Sequence, residues 1–344
     1  MGILCICLQT CIFVPYILYN QNLFMEQILK TDCKGFVFKA SNPDIILGPS
    51  SDRYFSSGFK DTEHSVYYSR IEDGVLYADL RIGWPQTWAK KCGIQLKPHF
   101  GTLDFFLFSA RLAEHYLNSI HQLSTDNMWI TEFSFKAGQN CVEKESISAS
   151  CKQLSSAFTG CHTFHLFEIK INNAIIHLKI SLPGDTNENA TSLQSTLQST
   201  YYSTRYKEAT RDIENIIVDT NLKQVKANYR LRHNEKTIFK GLGCNYMPCG
   251  TFCDLVLAGG QLSQILLFKM DNTTREQASN LWLRNIQSTN TKPIKGEIKI
   301  DATVIKSRII RIKDLDYNCS DVIIRFNNED LVAKCSFAYQ PFMK

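Results

Sequence analysis

His99 follows Pro98 in the stretch PHFGTLDFFLFSARLAEHYL, where a turn gives way to an apolar helix. An imidazole at such a place can take up a proton near neutral pH. Asp104 falls in the first turn of that helix, where the helix dipole favours a carboxylate. Arg111 lies two turns further along the same face, and a polar side chain on an apolar helix must find a partner or line a cavity. The segment from Pro248, PCGTFCDLVLAGGQLSQILL, aligns with this one without a gap. Pro98, Asp104, Leu107, Leu112 and Leu117 meet Pro248, Asp254, Leu257, Leu262 and Leu267, while Arg111 meets Gln261, Glu114 meets Gln264 and His99 meets Cys249. Thr251 and Asp254 have the spacing of a capping box, which Thr102 and Asp104 lack, so a cap explains one aspartate better than it explains both. The reading is acid–base chemistry by His99, Asp104 and Asp254, with Arg111, Gln261 and Cys249 facing the substrate. Free backbone N–H groups at two paired helix starts would suit a thioester carbonyl.

Other chemistries find little support. Cys244, Cys249 and Cys253 are spaced C-x4-C-x3-C without a neighbouring histidine, which does not make a zinc site. GLGC at 241–244 lacks the length and the lysine of a phosphate loop, and no G-x-S-x-G elbow occurs. No metal and no cofactor are expected. The formal charge of +5 is scattered, with no basic run interleaved with aromatics, which argues against a nucleic-acid partner. Thirteen cysteines without regular spacing, in a chain that needs no staples, read as reduced thiols and place the protein in the cytoplasm. The apolar segment Ile3–Leu18 has no basic flank or cleavage site and contains Pro15, so it reads as neither a signal nor a stable membrane insertion, and Met25 is an alternative start.

Each helix must be held by strands. GVLYADLRIGW from Gly74 and QVKANYRLRH from Gln224 precede the two helices with partial alternation, and NMWITEFSF from Asn127 and NLWLRNIQS from Asn280 follow them. Further alternating runs come after, TFHLFEIKI and AIIHLKISL in the first half and GEIKIDATVI, DVIIRF and LVAKCSFAY in the second. The expected fold is α+β, a tandem double hot-dog in which two antiparallel sheets each wrap a long central helix. Residues 1–24 form an extension, 25–183 the first half, 184–212 a Ser/Thr/Asn-rich linker or excursion, and 213–344 the second half.

ILGPSSDRYFSSGF at 46–59, GWPQTW at 83–88, LKPHFGTLDFFLFSARLAEHYL at 96–117, CGTFCDLVLAGGQLSQILL at 249–267 and LWLR at 281–284 together resemble the avirulence D (AvrD) family of plant-pathogenic bacteria. The resemblance runs from about Ile45 to the C-terminus. It implies an enzyme that helps to make syringolide-like signals from a β-ketoacyl thioester, on a carrier protein or CoA, and a small sugar-like substrate. Trp84 of GWPQTW joins the substrate-facing set. Hot-dog dehydratases use a His from one unit and an Asp from the other, which would here be His99 and Asp254. No Gly-x4-Pro follows His99 at the expected spacing and Ala258 stands four residues after Asp254, so simple dehydration fits less well than condensation. A closed pocket without convergent titratable groups would instead mark a module that binds an acyl chain or small lipid signal.

Overall fold

The computed structural model describes residues 29–30, 36–86, 88–138, 142–183, 200–234, 237–312 and 314–342. Residues 1–24 and 184–199, read above as an extension and as linker, lie outside the described residues. In chain order the strands are β1 (Leu29–Lys30), β2 (Phe36–Ala40), β3 (Glu63–Glu72), β4 (Val75–Gly83), β5 (Lys90–Lys91), β6 (Ile94–Gln95), β7 (Trp129–Lys136), β8 (Ser146–Thr159), β9 (His162–Ile171), β10 (Ala174–Pro183), β11 (Thr210–Asp219), β12 (Gln224–Arg232), β13 (Trp282–Asn290), β14 (Glu297–Ile312), β15 (Leu315–Phe326) and β16 (Leu331–Tyr339). The helices are α1 (Asp44–Leu47), α2 (Thr102–Ile120) and α3 (Phe252–Met270).

Alternation sets the faces. In β4, Leu76, Ala78, Leu80 and Ile82 point inward and are buried, while Asp79 and Arg81 point to solvent. Apart from the small ribbon β5–β6, all strands join one 14-stranded antiparallel sheet in the order β1-β2-β11-β12-β14-β15-β16-β13-β7-β10-β9-β8-β4-β3. Outward from the β7–β13 seam the order is β10, β9, β8, β4, β3 on one side and β16, β15, β14, β12, β11 on the other. The seam pairs Ser134 with Gln287, flanked by Phe133–Ser288 and Phe135–Ile286. Counted from the two tryptophans, Trp129 and Trp282, the central pair joins equivalent positions and the flanking pairs exchange, as a local twofold axis requires.

One helix crosses each side of the sheet. α2 lies over β3, β4, β8, β9 and β10, and α3 lies over β11, β12, β14 and β15. A long helix laid across an antiparallel sheet with this strand order is the hot-dog arrangement. Burying α2 removes Leu103, Phe106, Leu107, Phe108, Leu112 and Leu117 from water, each contributing about 1.5–3 kcal/mol. α3 is long and apolar enough to cross a membrane, but 83% of its most apolar stretch is buried, so its hydropathy is that of a core helix. It carries one irregularity, a wide π-type turn over Leu255–Gly259. There an added Cβ on Gly259 would stand 3.1 Å from two side-chain carbons of Ile324, so glycine permits the close approach of β15.

Part of the stretch read from composition as a linker or excursion belongs to the body. Residues 200–212 pack into the body, with Tyr201, Tyr202 and Tyr206 buried and β11 beginning at Thr210. Their Ser, Thr and Lys are polar because they hold turns and carbonyls, while the tyrosines between them fill the core.

Candidate active site

α2 and α3 meet near their N-terminal turns, where Phe106 and Phe252 pack with ring centroids 5.9 Å apart. Both helices open with the same device. Asp104 Oδ2 accepts from the Gly101 N–H at 2.7 Å, and Asp254 Oδ2 accepts from the Thr251 N–H at 2.8 Å. The expectation that the cap would not recur is thus corrected: the carboxylate closes the backbone in both halves, and only the side-chain partner, Thr251 Oγ1 at 2.9 Å, is confined to the second.

The remaining oxygens hold different groups. Asp104 Oδ1 accepts from the Tyr54 hydroxyl at 2.5 Å and stands 2.6 Å from His64 Nε2, with both members of the His–Asp pair fully buried. Asp254 Oδ1 accepts from Arg211 Nε at 2.9 Å and from the Tyr229 hydroxyl at 2.6 Å. His64 and Arg211 are each the second residue of their strands, β3 and β11. Burial pulls the Arg211 guanidinium down, but Asp254 together with Tyr229, Tyr201 and Cys253 raises it above the ordinary arginine value. Burial, reinforced by Asp104, drives the Tyr54 phenol well above its usual range.

The two sites interlock across the halves. The Tyr206 hydroxyl reaches His64 Nδ1 at 3.3 Å, and the Arg211 guanidinium lies 5.6 Å from the Phe59 ring centroid. Phe59 and Tyr206 stack at 6.1 Å. Lys60 Nζ donates to the Ala209 carbonyl, and in return Lys207 Nζ donates to that of Thr62. Such reciprocity is what a twofold arrangement of equivalent segments gives.

The sequence-predicted residues are only partly brought together. Among the described residues no hydrogen bond or ion pair joins His99 to Asp254; His99 is half-buried against the Trp88 and Trp282 rings at 4.7 and 5.0 Å, its Nδ1 3.2 Å from the Lys97 carbonyl. Burial lowers its pKa. Asp254 has both oxygens engaged and presents no free carboxyl. Arg111 donates to the His64 carbonyl at 2.8 Å, and Gln261 donates to the Phe55 and Leu257 carbonyls and accepts from Arg53 at 2.6 Å, so both tie their helices to the surrounding backbone. Trp84 packs edge-on against Phe100 at 6.0 Å, with its indole N–H buried and unpartnered. Cys249 lines a cavity of roughly 20 Å³ at the start of α3, which Trp129 and Ile130 close from the first half; burial raises its thiol to about 12.

His64, Arg211, Tyr54, Tyr206 and Tyr229 escaped the sequence reading, although a signal for most of them exists. RYFSSGFKDTEH at 53–64 aligns without a gap with TYYSTRYKEATR at 200–211, placing Tyr54 on Tyr201, Lys60 on Lys207 and His64 on Arg211.

The family model described as Pseudomonas avirulence D protein (AvrD) matches residues 38–341. The chain belongs to the AvrD family. A search of curated proteins gives no match. Among solved structures, this AvrD-family chain is similar to a tesB protein of Mycobacterium avium subspecies paratuberculosis, at 7% identity and a TM-score of 0.41, covering 80% of this chain and 96% of that one. An acyl-CoA thioesterase II, TesB2, from Mycobacterium marinum gives 8% and 0.38, covering 80% and 95%. A structure bearing on dehydratase substrate selection in the borrelidin and fluvirucin polyketide synthases gives 10% and 0.32, covering 80% and 94%. At these values the likenesses carry no functional weight, and the fold of this AvrD-family chain rests on its own strand order.

Proposed function

We propose that the protein is an enzyme acting on a β-ketoacyl thioester, condensing it with a sugar-derived hydroxyketone to a syringolide- or butenolide-like product. Its two halves, meeting between Pro183 and Thr200, are diverged copies of one hot-dog unit, a tandem double hot-dog. The observation that carries the reading is the buried chain Asp104–His64–Tyr206, which starts at one helix entrance and crosses to the other half.

The chemistry follows from the order of the groups. Asp104 accepts from His64 Nε2–H, which leaves Nδ1 of the neutral ring as the basic nitrogen. The proton between the two carbonyls of a β-ketoacyl thioester is acidic enough for a base of this strength. As the Tyr206 oxygen takes that proton, the phenol passes its own to His64 Nδ1, and Asp104 balances the imidazolium. The enolate carbon attacks the ketone carbon of the hydroxyketone, a C–C bond forms, and the new alkoxide recovers the proton through Tyr206. Burial keeps Tyr206 well above its usual pKa, which suits a relay that is neutral at rest. Asp254 fixes Arg211 beside this chain and acts as a positioning residue.

The test compares organic extracts of cells expressing the gene with those of cells expressing Tyr206→Phe, His64→Ala and His99→Ala, by mass spectrometry, with thermal melting of each purified variant. Tyr206→Phe and His64→Ala should lower product by about two orders of magnitude, the scale of a general acid–base group. Full product from both, with loss confined to His99→Ala, returns the role of base to His99 and overturns the relay.

A further inference from the structure

The second helix entrance leaves polar groups without partners in one place. Arg211 donates Nε to Asp254 and Nη1 to the Tyr206 and Ala209 carbonyls, while its Nη2 is buried and makes no hydrogen bond. The Tyr201 hydroxyl, on a side chain with no exposure at all, makes none either, nor does either ring nitrogen of His233. The Tyr201 and His233 rings lie 6.1 Å apart, and Asp254 and Arg211 are charges that act on both. A buried donor left unpaired costs about 1–3 kcal/mol, so three side chains in this condition mark a missing partner.

Comparison with the first entrance shows why the groups are free. Tyr54, which Tyr201 matches in the aligned segments, has its hydroxyl committed to Asp104. In the second half Tyr229 of β12 has taken that place on Asp254, which releases Tyr201. In β4 the position matching Tyr229 in the strand pairing is Leu80, which cannot do the same. Asp254 meanwhile spreads its charge over Arg211, Tyr229 and the two groups of Thr251, so the outer edge of the guanidinium keeps its positive character. The open groups are an N–H of a permanent cation, a phenol and an imidazole, all able to donate, and the complement of such a set is an anionic acceptor with more than one oxygen.

We propose that Arg211 Nη2, the Tyr201 hydroxyl and His233 form a binding site for the oxyanion of a small ligand, a phosphate or a carboxylate. The site does not depend on the relay at His64, and its test needs no catalysis. The full chain is titrated calorimetrically with inorganic phosphate and, separately, with acetate, with ionic strength held constant by chloride. One of the two anions should bind, the stronger naming the group, and Tyr201→Phe and His233→Gln should each weaken it at least about tenfold, or about 1.4 kcal/mol. Tyr54→Phe, at the matching position of the first half, should leave the affinity unchanged. Absence of binding by both anions to the wild-type protein, or equal affinity in Tyr201→Phe and wild type, overturns the proposal. Because Tyr201→Phe removes only an unpartnered hydroxyl, it keeps the core shape, and a null result from it cannot be put down to unfolding.

Discussion

The two helix entrances share one skeleton and differ in what they hold. At each, an aspartate closes the first turn and reaches the second residue of a neighbouring strand, but Asp104 meets an imidazole and Asp254 a guanidinium. The guanidinium only donates, whereas the imidazole offers a second ring nitrogen, which faces the Tyr206 hydroxyl. The lesson is that a helix start of this kind needs its carboxylate, while the group across from it can differ.

The largest effect that could break this comparison is on stability. Asp254→Asn leaves a guanidinium buried without its counter-charge and should cost about 3–5 kcal/mol. Asp104→Asn weakens the buried hydrogen bonds that its Oδ1 makes with His64 and Tyr54 and should cost about 1–3 kcal/mol. Urea denaturation of both variants measures the gap; equal losses would mean that the imidazole and the guanidinium are held alike.

A second difference lies one turn beyond Arg111 and Gln261, where Glu114 matches Gln264. Burial raises the Glu114 carboxyl from 4.5 to about 7, against the opposing hydrogen bonds from Leu242 N–H and from Thr200 and Thr125. Gly241 makes room for it, since an added Cβ there would fall 2.1 Å from its Oε1. A raised carboxyl binds its proton more tightly in the folded state, so its contribution is complete below pH 4.5 and is lost as pH rises through about 7. The loss amounts to about 3 kcal/mol. Denaturation midpoints across that window should fall in the wild type, and Glu114→Gln, which makes the first half like the second, should flatten the profile.

The smallest effect is the sharpest in logic. Tyr54→Phe removes a hydrogen bond to a buried carboxylate and should cost about 1.5–3 kcal/mol, whereas Tyr201→Phe removes a hydroxyl that has no protein partner and should stay within about 0.5 kcal/mol in anion-free buffer. Thermal melting of the pair decides whether the two tyrosines, matched in sequence, have parted in role.

Much of the architecture could be read in advance because it rests on periodicity. The alternation of β4 and β12 and the apolar runs of α2 and α3 appear in the chain as written, and each helix begins only a few residues after Pro98 or Pro248. The site was less legible because its partners lie far from the helices in sequence. Asp104 could be found from the helix repeat, but His64 sits in a strand of irregular burial, EHSVYYSRIE, which no alternation marks. His99 is visible from its place beside the helix, whereas its packing against Trp88 and Trp282, one of them far along the chain, is not. Composition misled at 200–212, where Ser and Thr outnumber aliphatics and the tyrosines among them form the core.

The seam between β7 and β13 also shapes how the chain comes into being. Synthesis delivers the first half, complete to Pro183, well before Trp282–Asn290 emerge to pair with it. In that interval the β7 edge of a nascent chain offers backbone groups to any passing strand, the usual route to aggregation. Glu132 and Lys136, exposed on the same strand, put opposite charges at that edge. Charges on an open edge strand work against such pairing, and the arrival of β13 closes the edge.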